Sequence, residues 1–173
     1  MLVIAATARE LAGVDGAVCG IGPVDAAAAT ARALAERRPA AVLHVGLAGA
    51  HGFETPVLVL GSEARYCDAG SPLVAAAERP DEELLARARA ALPRARVCPI
   101  GTSARVGGAH GCEIEAMEGF AVLRACRLAG VPALELRVTA NEVTEPDRSR
   151  WRFEDALALL RAALPPLVEA LDA

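Results

Sequence analysis

Residues 119–141 read GFAVLRACRLAGVPALELRVTAN, and this stretch decides the fold. Gly119 to Ala129 is an Ala- and Leu-rich amphipathic run, and Gly130 stands where a helix ends in a left-handed residue. Ala133 to Thr139 follows as a strand. Arg137 lies in a run read as otherwise apolar on its N-terminal side, so its charge needs a partner, a ligand or a route to the surface. Asn141 comes at the C-terminal end of that strand.

The same alternation runs through the chain. Leu2 to Ala6, Ala17 to Ile21, Ala41 to Val45, a segment within Pro56 to Arg65, and Arg96 to Ile100 read as strands. Val24 to Arg37 reads as a helix opened by Pro23. Asp81 to Leu92 is a helix with an acidic first turn and a basic last turn, as the macrodipole favours. Phe153 to Leu171 is a C-terminal helix, with Pro165-Pro166 as the place for a bend. Strands that are continuous apolar runs between helices imply an α/β fold, a sheet covered on both faces. Ligands in such folds gather at the carboxyl ends of strands, where Gly46 and Gly101 are placed. The 173 residues are expected to form a single domain over 1–173.

Composition narrows the function. Hydrophobic residues make up 54% of the chain, enough for a full core, whereas aromatics at 3% leave that core to Ala, Val, Leu and Ile. A net charge of -4 argues against nucleic acid and against an anionic membrane surface. Every basic side chain is Arg, so a phosphate-binding or Schiff-base Lys is excluded. The five cysteines form no CxxC pair and no zinc spacing with His44, His51 or His110; no metal and no cofactor is expected. MLVIAATARE lacks the basic start of a signal peptide, and no apolar run has membrane-spanning length. A cytoplasmic location is expected.

Three Gly-containing turns, at 20–23, 46–52 and 101–108, follow strands, but none has the dinucleotide-binding pattern. Glu113 to Gly119, EIEAMEG, sets acidic residues beside Met117 before a helix. A carboxylate there suits the vicinal hydroxyls of a ribose, and equally suits a helix start.

Taken in order, VIAATARE (3–10), GIGPVDAAAAT (20–30), HVGLAGA (44–50), SEARYCDAG (62–70) and AMEGFAVLRACRLAGVPALELRVTAN (116–141) resemble the nucleoside phosphorylase/nucleosidase superfamily. AMEGFAVLRAC and NEVTEPDRSRW (141–151) are most similar to its futalosine-cleaving branch. The resemblance implies a three-layer α/β/α fold with a central twisted mixed sheet. It also implies hydrolysis of a purine nucleoside in the futalosine route to menaquinone, and a homo-oligomer. A methylthioadenosine/S-adenosylhomocysteine nucleosidase or a purine phosphorylase is the alternative among enzymes. A non-catalytic purine nucleoside-binding protein is the alternative outside them.

By the same resemblance Glu10 is the general base, Glu118 binds the ribose hydroxyls, Met117 packs under the sugar and Arg137 helps to place the water. Gly46, Leu47, Ala48 and Gly49 form the Gly-rich turn against the substrate. Asn141 replaces the Asp of adenine-cleaving relatives. A 6-oxopurine offers two acceptors, N7 and O6, where adenine offers an acceptor and a donor. A carboxamide donates to such acceptors without taking up a proton, so Asn141 points to hypoxanthine. Leu47 stands where phosphorylases carry a hydroxyl, which favours water over phosphate. Between Gly107 and Met117 lie only nine residues, where the resembling proteins have a longer stretch. Ala104 and Arg105 stand where those proteins wall in the base.

Overall fold

The computed structural model describes residues 1–52 and 55–172. The elements run β1 (Leu2–Ala5), β2 (Gly16–Val18), α1 (Pro23–Arg37), β3 (Val42–Ala50), β4 (Leu58–Tyr66), β5 (Ala77–Glu78), α2 (Glu82–Ala91), β6 (Arg96–Thr102), β7 (Ile114–Ala116), α3 (Gly119–Ala129), β8 (Ala133–Glu142) and α4 (Phe153–Asp172). Each helix boundary has a local cause. Pro23 opens α1; the Asp81 side chain accepts from the backbone N–H of Glu83 and Leu84 to start α2; Gly130, at φ 69°, closes α3 in the left-handed region. α4 runs on through Pro165 and Pro166.

The strands form one mixed sheet in the order β2-β1-β3-β7-β6-β4-β5, with β8 pairing both β3 and β4. β3 is parallel to β1 and β8, whereas β8 meets β4 antiparallel. Because β4 also pairs β6, β6 pairs β7, and β7 returns to β3, the ring β3–β8–β4–β6–β7 closes on itself. Closure removes the exposed edges that an open sheet of these strands would present.

Helices cover the sheet on both sides, as the sequence predicts. Leu134, Leu136 and Val138 of β8 pack with Leu160, Leu164 and Leu167 of α4 and Leu84 of α2. On the other side Leu2, Ile4, Val42 and Ala133 pack with Ala26 and Leu34 of α1 and Phe120, Leu123 and Cys126 of α3. A third cluster, with Ala48, Val59, Ile100 and Ile114, is drawn from strands of the ring.

Several elements differ from the sequence reading. β3 does not stop at Val45 but continues to Ala50, so Gly46 to Gly49 are strand and not turn. β8 likewise extends past Thr139 to Glu142. The second strand ends at Val18, leaving Cys19 to Ile21 outside it. The short strands β5 and β7 had no counterpart in the sequence reading. Glycine inside a strand marks a close approach of another group as readily as a turn, and at Gly46 that is what it marks.

Candidate active site

His44 and Glu135 are paired across β3 and β8, and Gly46 and Arg137 are paired two residues further on. Side chains two apart on a strand share a face, so these four positions form one patch on the α1/α3 side. Gly46 leaves the room in it. A Cβ there would run into Nη1 of Arg137 and lie 2.8 Å from Oε1 of Glu10.

Arg137 is fully buried. Its Nε donates to Oε1 of Glu135 at 2.8 Å, Nη2 donates to Glu118 at 3.3 Å and also meets Nε2 of His44, and Nη1 reaches the carbonyl of Leu47 at 3.4 Å. The sequence reading took the run before Arg137 as apolar. Glu135 corrects it: the partner that the buried charge requires is two residues away on the same strand. Burial acts against the guanidinium charge, yet Glu135, Glu118 and Glu10 together hold its pKa above the ordinary arginine value. Burial pushes the Glu135 carboxyl up, more than Arg137 pulls it down. Burial, then Arg137, holds His44 well below its usual 6.5. His44 is therefore neutral. Its Nδ1–H donates to the carbonyl of Ile4 at 3.0 Å, which leaves Nε2 as the acceptor facing Arg137.

Two carboxylates stand in front of this guanidinium. Glu10 lies in the turn after β1. Its Oε2 accepts from the backbone N–H of Thr7 at 3.1 Å and the Thr7 hydroxyl at 2.7 Å, and its Oε1 accepts from the N–H of Leu47 at 2.9 Å. Glu118 precedes α3 but does not cap it; Oε1 accepts from the N–H of Gly22 at 3.1 Å and Oε2 from Arg137. The Glu118 side chain thus makes no capping hydrogen bond to α3 and is turned to Gly22 and Arg137 instead.

These groups border a cavity of about 410 Å³. Glu10, Leu47, Ala48, Gly49, Met117, Glu118 and Asn141 line it, while Arg137 and Gly46 lie behind its wall. Asn141 donates from Nδ2 to the carbonyl of Glu142 at 3.1 Å, so one amide N–H remains for a ligand. The wall includes Val106, whereas Ala104 and Arg105 are exposed and stand outside it. Trp151 and Phe153 close another side, with their ring centroids 5.4 Å apart, and the Arg148 guanidinium lies 5.4 Å from the Trp151 centroid. Glu115 also lines the cavity and accepts from the N–H of Gly107 at 2.6 Å, which ties the 104–113 loop to its rim.

Thr7, Glu115, Trp151 and Phe153 were not expected in the lining. Trp151 and Phe153 carried a signal, as two of the chain's few aromatic residues next to the strand that ends near Asn141. A larger groove of about 1060 Å³ runs between α1 and α3, but its lining is mostly alanine and other apolar residues. Among the described residues no cluster of three or more His, Cys, Asp or Glu side chains suits a metal, and no helix is long and apolar enough to cross a membrane.

No family model matches the chain. The futalosine hydrolase of Streptomyces coelicolor is 34% identical to this chain in a comparison that covers 92% of this chain and 80% of that protein. A futalosine hydrolase mutant of Helicobacter pylori superposes with a TM-score of 0.85 at 17% identity, covering 96% of this chain and 97% of the other. A methylthioadenosine/S-adenosylhomocysteine nucleosidase of S. pneumoniae, solved with a transition-state inhibitor, gives a TM-score of 0.82 at 18% identity, over 99% and 97% of the two chains. The two solved structures share the fold, and the Streptomyces enzyme is similar in sequence across most of both chains. The chain belongs to the futalosine hydrolase family.

Proposed function

We propose that this chain, acting as one domain, hydrolyses futalosine to hypoxanthine and dehypoxanthine futalosine, with water as the nucleophile and Glu10 as the general base. The observation that carries this reading is the meeting of Glu10, Glu118 and Asn141 around one cavity of about 410 Å³. A cavity of that size suits a nucleoside. Glu118 takes the ribose hydroxyls and Met117 lies under the sugar. Glu10 is held by three donors, from Thr7 and Leu47, so it is oriented to take a proton from water. The water oxygen then bonds to C1′ of the ribose, the electron pair of the glycosidic bond leaves with the base, and the purine takes up a proton to become free hypoxanthine as Glu10 gives up the one it accepted.

The leaving purine gathers negative charge. The free N–H of Asn141 is a fixed donor for it, at O6 or N7. Phosphate is a poor fit. The N–H of Leu47 is already taken by Glu10, the Leu47 side chain offers no donor, and a phosphate would meet the Glu10 charge. The family relationship supports a role in menaquinone synthesis. Five free cysteines fit a reducing cytoplasm. Ile21 and Val106 line the cavity while remaining well exposed, and a homo-oligomer in which a second copy covers them completes the reading.

The test is a substrate comparison. The wild type releases hypoxanthine from futalosine faster than adenine from methylthioadenosine. Asn141→Asp moves the ratio of kcat/KM for matched 6-oxo and 6-amino nucleosides towards adenine, because an ionised Asp faces the O6 lone pairs but accepts from the N6 amino group. An unmoved ratio removes Asn141 from the base edge and removes the physical support for a 6-oxopurine.

A further inference from the structure

The buried patch behind the cavity contains two groups that the reaction, as read so far, does not use. His44 and Glu135 are fully buried, and neither lines the cavity. Each nevertheless contacts the Arg137 guanidinium at a different nitrogen, Glu135 at Nε and His44 at Nη2. A planar guanidinium gripped at Nε and at one Nη has no free rotation left, so the direction of every remaining N–H is set. Those remaining N–H groups meet the Leu47 carbonyl and Glu118, and the nitrogen nearest the missing Gly46 side chain shares that space with Glu10.

The surroundings are built to keep these two groups in place. The Ile4 carbonyl holds the His44 ring in the tautomer that leaves Nε2 as an acceptor, and burial keeps the ring neutral. Glu135 packs against the start of α3, where a Cβ on Gly119 would overlap its carboxylate. Its second oxygen finds no hydrogen-bond partner among the described residues. A buried carboxylate with an unused oxygen is costly, and an apolar residue of similar size would stabilise the core at least as well. Core packing alone therefore does not account for Glu135.

We propose that His44 and Glu135 are positioning residues, which fix the Arg137 guanidinium in the orientation that sets Glu118 for the ribose and Glu10 for the attacking water. This rests on the hydrolase reading given above. The pair acts only through Arg137. Glu135 sets the tilt of the guanidinium at Nε, and His44 stops its Nη2 edge from swinging towards α1.

The experiment uses the full chain and four variants: His44→Leu, His44→Gln, Glu135→Met and Glu135→Gln. Hypoxanthine release from futalosine is followed below the melting temperature of each, together with nitrogen-detected NMR of the arginine side chains. His44→Leu and Glu135→Met should lose about ten- to a hundred-fold in kcat, the scale of a small misplacement of reacting groups. The two Gln variants keep an acceptor for Arg137 and should recover most of that loss. In the wild type the two Nη groups of Arg137 give separate, slowly exchanging signals; in the Leu and Met variants these broaden and merge.

Full-rate turnover in the Leu and Met variants, or equal losses in Gln and apolar variants, overturns the proposal. If Glu135→Met fails to fold, Glu135→Gln and the His44 pair decide. If the wild type cleaves no purine nucleoside, the hydrolase reading fails. The NMR signals still decide the positioning claim, which falls if they are unchanged in His44→Leu.

Discussion

The two sides of β8 are equally buried and chemically opposite. Leu134, Leu136 and Val138 face α4 and α2, whereas Glu135, Arg137 and Thr139 face the other way, and all six have no exposed surface. One side follows the rule that burial removes apolar area from water, at about 25 cal/mol per Å². The other carries a guanidinium and a carboxylate where desolvation offsets much of their attraction. A strand that needed only stability would be apolar on both sides, as sheets covered by two helical layers commonly are. The difference teaches that the side towards α1 and α3 is kept polar for what lies at its end, the carboxylates of Glu10 and Glu118.

Paired substitutions can break that comparison. Leu160→Ala, on the apolar side, removes a fully buried side chain and should cost about 2–5 kcal/mol in unfolding free energy. Its kcat, measured below the melting temperature, should remain that of the wild type. Glu118→Ala removes a partner of the buried Arg137 and also costs stability, but unlike Leu160→Ala it should lose binding in the folded protein. Affinity for a substrate analogue falls by about 1.5–3 kcal/mol for each hydrogen bond lost to the charged group, and calorimetry reads this directly. Equal losses of stability and affinity in both variants would mean that the two sides are not functionally distinct.

A smaller effect sharpens the same contrast through pH. His44 has a folded pKa well below 6.5, from burial first and Arg137 second. Below pH 6.5 the unfolded chain binds a proton at this site that the folded chain refuses. The stability contribution of His44 is thus complete above 6.5 and is lost as pH falls towards the folded value. The slope is at most about 1.4 kcal/mol per pH unit. Glu135 works in the opposite sense: its folded pKa is raised above 4.5, so its contribution is present below that value and lost as pH rises through the folded one. His44→Gln retains Glu135 and removes only the first effect. Denaturant titrations at pH 7 and pH 5 should therefore show a smaller acid loss in His44→Gln than in the wild type, by about 1–2 kcal/mol. An equal acid loss would place the His44 charge change elsewhere.

The helices and most strands are legible in the sequence because their signals are local. Pro23, Asp81 and Gly130 mark helix ends by backbone chemistry that needs no tertiary partner. Gly46 misleads for the opposite reason. Its glycine answers to Arg137 and Glu10, which come from distant parts of the chain, so a local reading takes a strand interior for a turn. The bulge that offsets β3 from β8 after Ala48 brings Gly49 opposite Asn141, and it too is invisible until the strands pair. Glu10 carries no local sign of its part in the site. Only the family resemblance points to it, and the turn after β1 brings it to Leu47 on the neighbouring strand β3. His44 and Glu135 were within reach of a period-two reading, since each precedes by two a residue already singled out.

The most direct test follows the oxygen. Wild-type protein is incubated with futalosine in phosphate-free buffer made with heavy-oxygen water, and the products are weighed by mass spectrometry. Hydrolysis with Glu10 as base predicts free hypoxanthine, one heavy oxygen in the released sugar product, and a fall of about 10²–10⁴ in rate for Glu10→Gln. Base release that appears only when phosphate is added, or a Glu10→Gln variant that turns over at the wild-type rate, would contradict it.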